Sequence, residues 1–117
     1  MRPTVLIVDD HADFRAATRD LLEADGFPVV GEATDGADAI AKVERLRPDV
    51  VLLDIALPDI DGFEVAARLA TRAEPPLVVL ISSREARVYG SRLAAAPARG
   101  FIPKSRLSGD ALGALVG

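Results

Sequence analysis

Asp9, Asp10, Asp54, Ser82 and Lys104 are the residues of this 117-residue chain whose types and placement could do chemistry. Asp9-Asp10 follow the apolar run Thr4-Val5-Leu6-Ile7-Val8, and Asp54 follows Val50-Val51-Leu52-Leu53. Ser82 follows Leu77-Val78-Val79-Leu80-Ile81, and Lys104 follows Gly100-Phe101-Ile102-Pro103. Short apolar runs bounded by turn signals read as strands buried on both faces, as in parallel sheets covered by helices. In open α/β sheets the carboxyl ends of the strands share one edge, where ligands bind. That edge would gather three carboxylates, a hydroxyl and an ammonium into one pocket. With no cysteine and one histidine, the donors are hard oxygens. They suit Mg2+, which takes one or two protein carboxylates and keeps waters or phosphate oxygens. Three acids packed without a cation would raise at least one pKa by like-charge repulsion; a metal plus Lys104 removes that cost. The lysine is a point charge suited to phosphate or carboxylate, and the serine can donate to a phosphoryl oxygen. The set suits nucleophilic acceptance of a phosphoryl group by a carboxylate, with metal and lysine neutralising the transferring oxygens.

The elements that must position these groups alternate along the chain. After Asp10 the pattern takes a helical period, with Phe14, Ala17, Leu21 and Leu22 on one face. Asp10 or its neighbour is placed to cap that helix, which stops at Asp25-Gly26. Phe27 to Ala33 is a weaker strand, opened by Pro28 and interrupted by Gly31, and fits a sheet edge. Asp35-Gly36 opens a second helix carrying Ala37, Ile40, Ala41 and Val43. Asp61-Gly62 opens a third through Ala70, with Phe63, Ala66, Ala67 and Ala70 on its stripe. Residues 84–95 read as a fourth helix, poor in large apolar groups beyond Val88, Tyr89 and Leu93. Leu107, Ala111, Leu112 and Leu115 mark a fifth. Five strand signals alternating with five helical ones predict a five-stranded parallel sheet between helices, with right-handed crossovers. The order 2-1-3-4-5 is the common solution at this size.

Length and composition bound the rest. The chain is sized for one domain over residues 1–117. Half its residues are hydrophobic but only 4% are aromatic, so the core must be aliphatic. No signal-peptide pattern or membrane-length apolar run is present, which reads as a cytoplasmic protein. Residues 1–60 carry 13 acids and 6 bases; residues 61–117 carry 5 acids and 8 bases. The acidic half can hold a divalent cation, while the basic half is too sparse for direct nucleic-acid binding.

The stretches VLIVDD, DVVLLDIALPDIDGFE, LVVLIS and GFIPKS resemble the receiver domain of two-component response regulators (CheY-like, flavodoxin-like fold), over essentially the whole chain. Spacing makes the resemblance specific: 44 residues separate Asp10 from Asp54, 28 more lead to Ser82, and 22 more to Lys104. It implies Asp54 as phosphoacceptor, Asp9 and Asp10 as the Mg2+ pair (Mn2+ as a substitute), and the main-chain carbonyl of Ala56 as a further ligand. It implies Ser82 and Lys104 as phosphoryl-binding groups and Phe101 as a switch aromatic. Ala56, Ser83 and Arg84 fall at positions that tune dephosphorylation. The implied partner is a sensor histidine kinase. The implied output face is the fourth helix, fifth strand and fifth helix, through which a homodimer could form. GFIPKS is most similar to receivers of NarL/LuxR-type regulators, which carry a helix-turn-helix and control transcription.

Plainer roles stand beside these. Asp9-Asp10 could be helix caps, Ser83 is a near-equal candidate to Ser82, and Lys104 could be a solvated lysine. His11 reads as a solvated neighbour without a role. Departures from the family pattern are Ala56, Arg84, Pro97 where a helix-ending glycine is usual, and Ser105 after the lysine. Three rival functions remain: a non-phosphorylated CheY-like interaction module, an Asp-nucleophile phosphatase, and a nucleotide binder. The phosphatase is weakened by His11 two residues after Asp9, and the nucleotide binder by the lack of a Gly-rich phosphate loop.

Overall fold

The apolar runs do form a parallel sheet. The computed structural model describes residues 2–117, with strands β1 (Val5–Val8), β2 (Val29–Ala33), β3 (Val50–Asp54), β4 (Leu77–Ser82) and β5 (Gly100–Pro103). Their order is β2-β1-β3-β4-β5, every neighbouring pair parallel. Helices α1 (Ala12–Ala24), α2 (Gly36–Leu46), α3 (Gly62–Ala70), α4 (Ser91–Ala95) and α5 (Gly109–Val116) connect or follow the strands. Single 3-10 turns lie at Ala86–Val88 and Lys104–Arg106.

Strand side chains alternate between faces, which divides the core in two. Leu6, Val8, Val51, Leu53, Val78 and Leu80 meet Ala39 and Val43 of α2 and Val65, Ala66 and Leu69 of α3. Val5, Ile7, Val50, Leu52, Val79, Ile81 and Ile102 meet Leu22 of α1 and Leu112 of α5. All residues of β1 and β3 are buried, which explains their unbroken hydrophobicity. Each buried aliphatic side chain contributes about 1.5–3 kcal/mol before chain entropy is subtracted.

Helices α1, α2, α3 and α5 lie where the sequence predicts them, but parts of the predicted faces of α1, α2 and α3 differ. On α1 the inward row is the partly buried Phe14 with the buried Thr18 and Leu22, four residues apart; Ala17 is exposed and Leu21 is 37% exposed. Thr18, polar by type, is buried because it shares that row. On α2, Ala37 and Ala41 are exposed while Gly36 and Ala39 are buried; on α3, Ala67 and Ala70 are exposed and Val65 and Leu69 face the sheet. Alanine gives no contrast between faces, so the stripe must be read from the larger residues.

The larger correction concerns residues 84–95. Only Ser91–Ala95 is α-helical, and neither it nor the preceding 3-10 turn buries a residue. Gly90 separates the two at φ 57°, a conformation natural to glycine. Ala96 ends α4 in extended geometry (φ −69°, ψ 141°), as a residue before proline must. Without an apolar stripe to dock, this segment gains little from packing.

Close approach also shapes the β3–α3 connection. A Cβ on Gly62 would lie 2.6 Å from the Asp54 carbonyl oxygen and 2.7 Å from Ile55 Cα. The start of α3 can therefore lie against the end of β3 only with glycine there. Asp61 caps that helix through the Glu64 amide at 2.9 Å. Asp59, in the same loop, accepts from the Gly36 and Ala37 amides at 2.8 and 2.9 Å. It thereby ties the loop after Asp54 to the start of α2, and these amides hold its carboxyl down at about 2.

Candidate functional site

Register determines which strand ends meet. Val8 pairs with Leu53, so Asp9 emerges beside Asp54. Asp54 pairs with Ile81 and Ser82 with Pro103, bringing Ser82 and Lys104 to the same edge. Asp9 and Asp54 are buried with the strands that carry them, whereas Asp10, one residue into the loop, is exposed.

Lys104 Nζ lies 2.6 Å from Asp9 Oδ2 and 3.1 Å from Asp54 Oδ2. It sits over the Phe14 ring at 4.5 Å from the centroid, so the aromatic ring shields the ammonium while the acids neutralise it. The second Asp54 oxygen accepts from the Ala56 amide at 3.1 Å. Asp9 Oδ1 accepts from the His11 amide at 2.8 Å. Asp9 Oδ2 is buried and lacks an aligned hydrogen bond, holding the ammonium only as an ion pair.

Electrostatics divide the two buried acids. Burial pushes the Asp9 carboxyl up, but Lys104 and the His11 amide outweigh it, leaving Asp9 below the usual carboxylate range. Burial also pushes Asp54 up; Lys104 and the Ala56 amide offset only part, and the charge on Asp9 adds to the rise. Burial alone would lower Lys104, yet the two carboxylates raise it above the ordinary lysine value. The tighter partner of the lysine is thus the more acidic carboxyl.

One donor atom each from Asp9, Asp10, His11 and Asp54 lies within 4.8 Å of the others. The incompletely bonded Asp9 Oδ2 and the carboxylate-rich donor set fit a hard divalent cation such as Mg2+. The elevated carboxyl of Asp54 would be relieved by the same charge.

His11 reads from sequence as a solvated neighbour, yet its Nδ1 lies 3.1 Å from Asp9 Oδ1 and 3.0 Å from Asp10 Oδ1. A lone histidine in a loop carries no periodicity to place it. Arg15 was also missed: it donates to the Asp9 carbonyl at 2.7 Å and to Glu32 at 3.0 Å, bracing the acidic turn against β2. Position four residues after His11, on the first turn of the helix, was the available signal.

Ser82 is 2% exposed, while Ser83 and Arg84 are exposed. Burial favours Ser82 over its neighbour as the hydroxyl within the edge. Its Oγ accepts from the Arg84 amide at 3.0 Å and lies 2.5 Å from the Tyr89 hydroxyl. Phe101 is half-buried on the α2–α3–α4 side of the sheet, edge-on to Tyr89 at 6.1 Å between centroids. Ala56 is exposed beside the acceptor.

The response regulator receiver domain family matches residues 5–115. The DNA-binding transcriptional activator EvgA of Escherichia coli K12 is 34% identical over 99 residues, covering 85% of this chain and 48% of its own. The positive transcription regulator of virulence factors BvgA of Bordetella pertussis is 38% identical over 100 residues, covering 86% and 48%. The chain thus spans about half the length of these curated relatives. Among solved structures, the signal receiver domain of the response regulator NarL from Mycobacterium tuberculosis superposes with a TM-score of 0.85 at 33% identity, covering 97% and 96% of the two chains. A LuxR-family two-component response regulator from Aurantimonas superposes at 0.83 with 26% identity, covering 90% and 76%. The chain belongs to the response regulator receiver domain family.

Proposed function

We propose that Asp54 is the phosphoacceptor of a two-component pathway and that the groups around it bind the cation and the phosphoryl group. The observation that carries this reading is the buried Asp54 carboxylate, held between Lys104 Nζ and the Ala56 amide with Asp9 and Asp10 beside it. An Asp54 oxygen attacks the phosphorus of a kinase phosphohistidine; the P–N bond breaks, and its electron pair leaves on the imidazole, which takes a proton. Asp9, Asp10, Asp54 and the Ala56 carbonyl are the residues to hold Mg2+, with Mn2+ as a substitute. The cation supplies neutralisation of the phosphoryl oxygens. Lys104 then shifts its pairing from carboxylate to phosphoryl oxygen, Ser82 donates to a second oxygen, and Phe101 repacks beneath the β5–α4 surface. Ala56, Ser83 and Arg84 border the product and tune its slow hydrolysis, the chain's own autophosphatase activity.

Receiver domains act with histidine kinases, and the relatives named above are transcription regulators. The reading for this chain is therefore a single receiver domain over residues 1–117 serving a cytoplasmic regulator, with no direct contact to DNA. Its output is the α4–β5–α5 face, which would pair two copies or meet an effector. Among the described residues no helix is long and apolar enough to cross a membrane.

The test is incubation with a small acyl phosphate or phosphoramidate and Mg2+, followed by intact mass. The expected result is a gain of one phosphoryl group, lost in Asp54→Asn. A chain that stays unmodified, with or without kinase, would instead be the passive interaction module, a reading favoured by the shortness of α4.

A further inference from the structure

The segment between β4 and β5 is thinly held. No residue of its 3-10 turn or of α4 is buried. Its Tyr89, however, enters the core side of the sheet, edge-on to Phe63 of α3 at 5.7 Å and to Phe101 of β5 at 6.1 Å. Beyond the ring, its hydroxyl reaches Ser82 Oγ at 2.5 Å. Ser82 also accepts from the Arg84 amide. A serine hydroxyl offers one proton and two lone pairs, and both observed bonds run to this segment. Asp54 bonds Lys104 and Ala56, with no bond to Ser82 among the described residues.

We infer that Tyr89 is a positioning residue that holds Ser82 in the resting state, and that a phosphoryl group on Asp54 takes the serine from it. The tyrosine hydroxyl then loses its partner, the ring is free to leave the gap between Phe63 and Phe101, and residues 83–95 lose a direct tie to the sheet edge. Site occupancy is thereby coupled to the α4 surface through a residue of the β4–α4 segment. This inference rests on the phosphoacceptor reading of Asp54.

Tyr89 is the only tyrosine and there is no tryptophan, so intrinsic emission reports this residue alone. The probe is Mg2+ with beryllium fluoride, an unreactive mimic of a carboxylate-bound phosphoryl group, whose binding is followed independently by fluorine NMR. The expected result is a change in tyrosine emission that tracks bound fluoride, with Ser82→Ala already shifted before any addition. Tyr89→Phe keeps the ring and removes the competing hydroxyl. It should bind the mimic roughly 2- to 10-fold more tightly, the worth of one net hydrogen bond. Bound fluoride with unchanged emission, or unchanged or weaker binding by Tyr89→Phe, would overturn the inference and leave the phosphoacceptor reading standing. If neither the mimic nor the acyl-phosphate donor loads Asp54, that reading falls and this one falls with it.

Discussion

Replacing Lys104 with methionine removes the cation between two buried acids while keeping an apolar stem of similar length. In the native chain Nζ touches Asp9 at 2.6 Å and Asp54 at 3.1 Å, with side chains 16%, 0% and 3% exposed. Breaking a buried pair by deleting one partner costs about 3–5 kcal/mol. The variant can escape by protonating a carboxyl, and that escape bounds the loss. Holding a carboxyl neutral at pH 7 against an unfolded value near 3.9 costs about 4 kcal/mol, at 1.36 kcal/mol per unit. At pH 5 the same escape costs only about 1.5 kcal/mol. Lys104→Met should therefore lose roughly 3–4 kcal/mol at pH 7 and roughly half that at pH 5, on the same reckoning.

The sign follows from proton binding. In the native chain Asp9 is lowered, so its contribution is present above the unfolded value and is lost as pH falls through the folded one. Asp54 is raised, so its contribution is present below the unfolded value and is lost as pH rises through the folded one. Lys104 is raised and favours folding until pH passes its folded value, above the ordinary lysine range. Between pH 5 and 8, of these three groups only the raised Asp54 can make the native chain less stable as pH rises. The variant, its acids now both pushed up, must lose stability steadily across that window. Urea unfolding followed by circular dichroism at pH 5, 6, 7 and 8 measures this. With m near 1–3 kcal/mol/M, a 3 kcal/mol loss moves the midpoint by about 1–3 M. Mg2+ should restore the variant more than it stabilises the native chain, because it replaces the missing charge. A stability difference that is equal at pH 5 and pH 7 and indifferent to Mg2+ would show that the lysine does not neutralise these acids.

Other consequences are open to direct measurement. Gly62→Ala forces a Cβ against the Asp54 carbonyl and Ile55 and should cost about 1–3 kcal/mol of stability, read by urea or thermal unfolding; a neutral substitution would mean the α3 start yields easily. Asp59→Ala should speed amide hydrogen exchange at Gly36 and Ala37, whose N–H groups it caps. In the native chain the same protection should persist above about pH 4 and fade as pH drops through about 2; unchanged exchange would remove Asp59 from the α2 cap. Arg15→Met frees the Asp9 carbonyl and should weaken Mg2+ binding roughly ten-fold by calorimetry, as loss of an outer-shell partner does, whereas equal affinity would make Arg15 a stabiliser of β2 alone.

The sheet was legible because β1, β3 and β4 are apolar without interruption, and a strand covered on both faces has no reason to alternate. The meeting of Asp9, Asp54, Ser82 and Lys104 at one edge follows once all strands are parallel, whereas the order β2-β1-β3-β4-β5 rests on the common solution at this size and not on any periodicity. Helix faces were less legible: Leu21 and Ala67 look like core by type, but a turn of 100° per residue leaves them outside. Residues 84–95 misled most, because Ala and Arg favour helix intrinsically while nothing there buries an apolar row. Tyr89 acts through a polar contact to Ser82, and Arg15 ties the Asp9 carbonyl to Glu32 of β2. Arg15 had its place on the first turn of α1 as a signal, but no local period encodes the Tyr89 contact, which emerges only from coordinates.

The cost of the site bears on whether it is used. Two buried carboxylates and a partly buried ammonium are a poor route to stability, since apolar residues of similar volume in such positions are often neutral or more stabilising. A protein needing only this scaffold for docking would fold at least as well with Asp9, Asp54 and Lys104 replaced together by leucine-sized side chains. The single change Lys104→Met and the triple replacement thus separate two meanings of the cluster. The first should destabilise, as worked above; the triple, free of unpaired charge, should match or exceed the native chain in urea while losing all response to Mg2+ and to phosphoryl donors. If the triple replacement unfolded as readily as the single one, the charges would be part of the fold's support. If it is stable and silent, the cluster is kept at the strand ends for the chemistry it performs there.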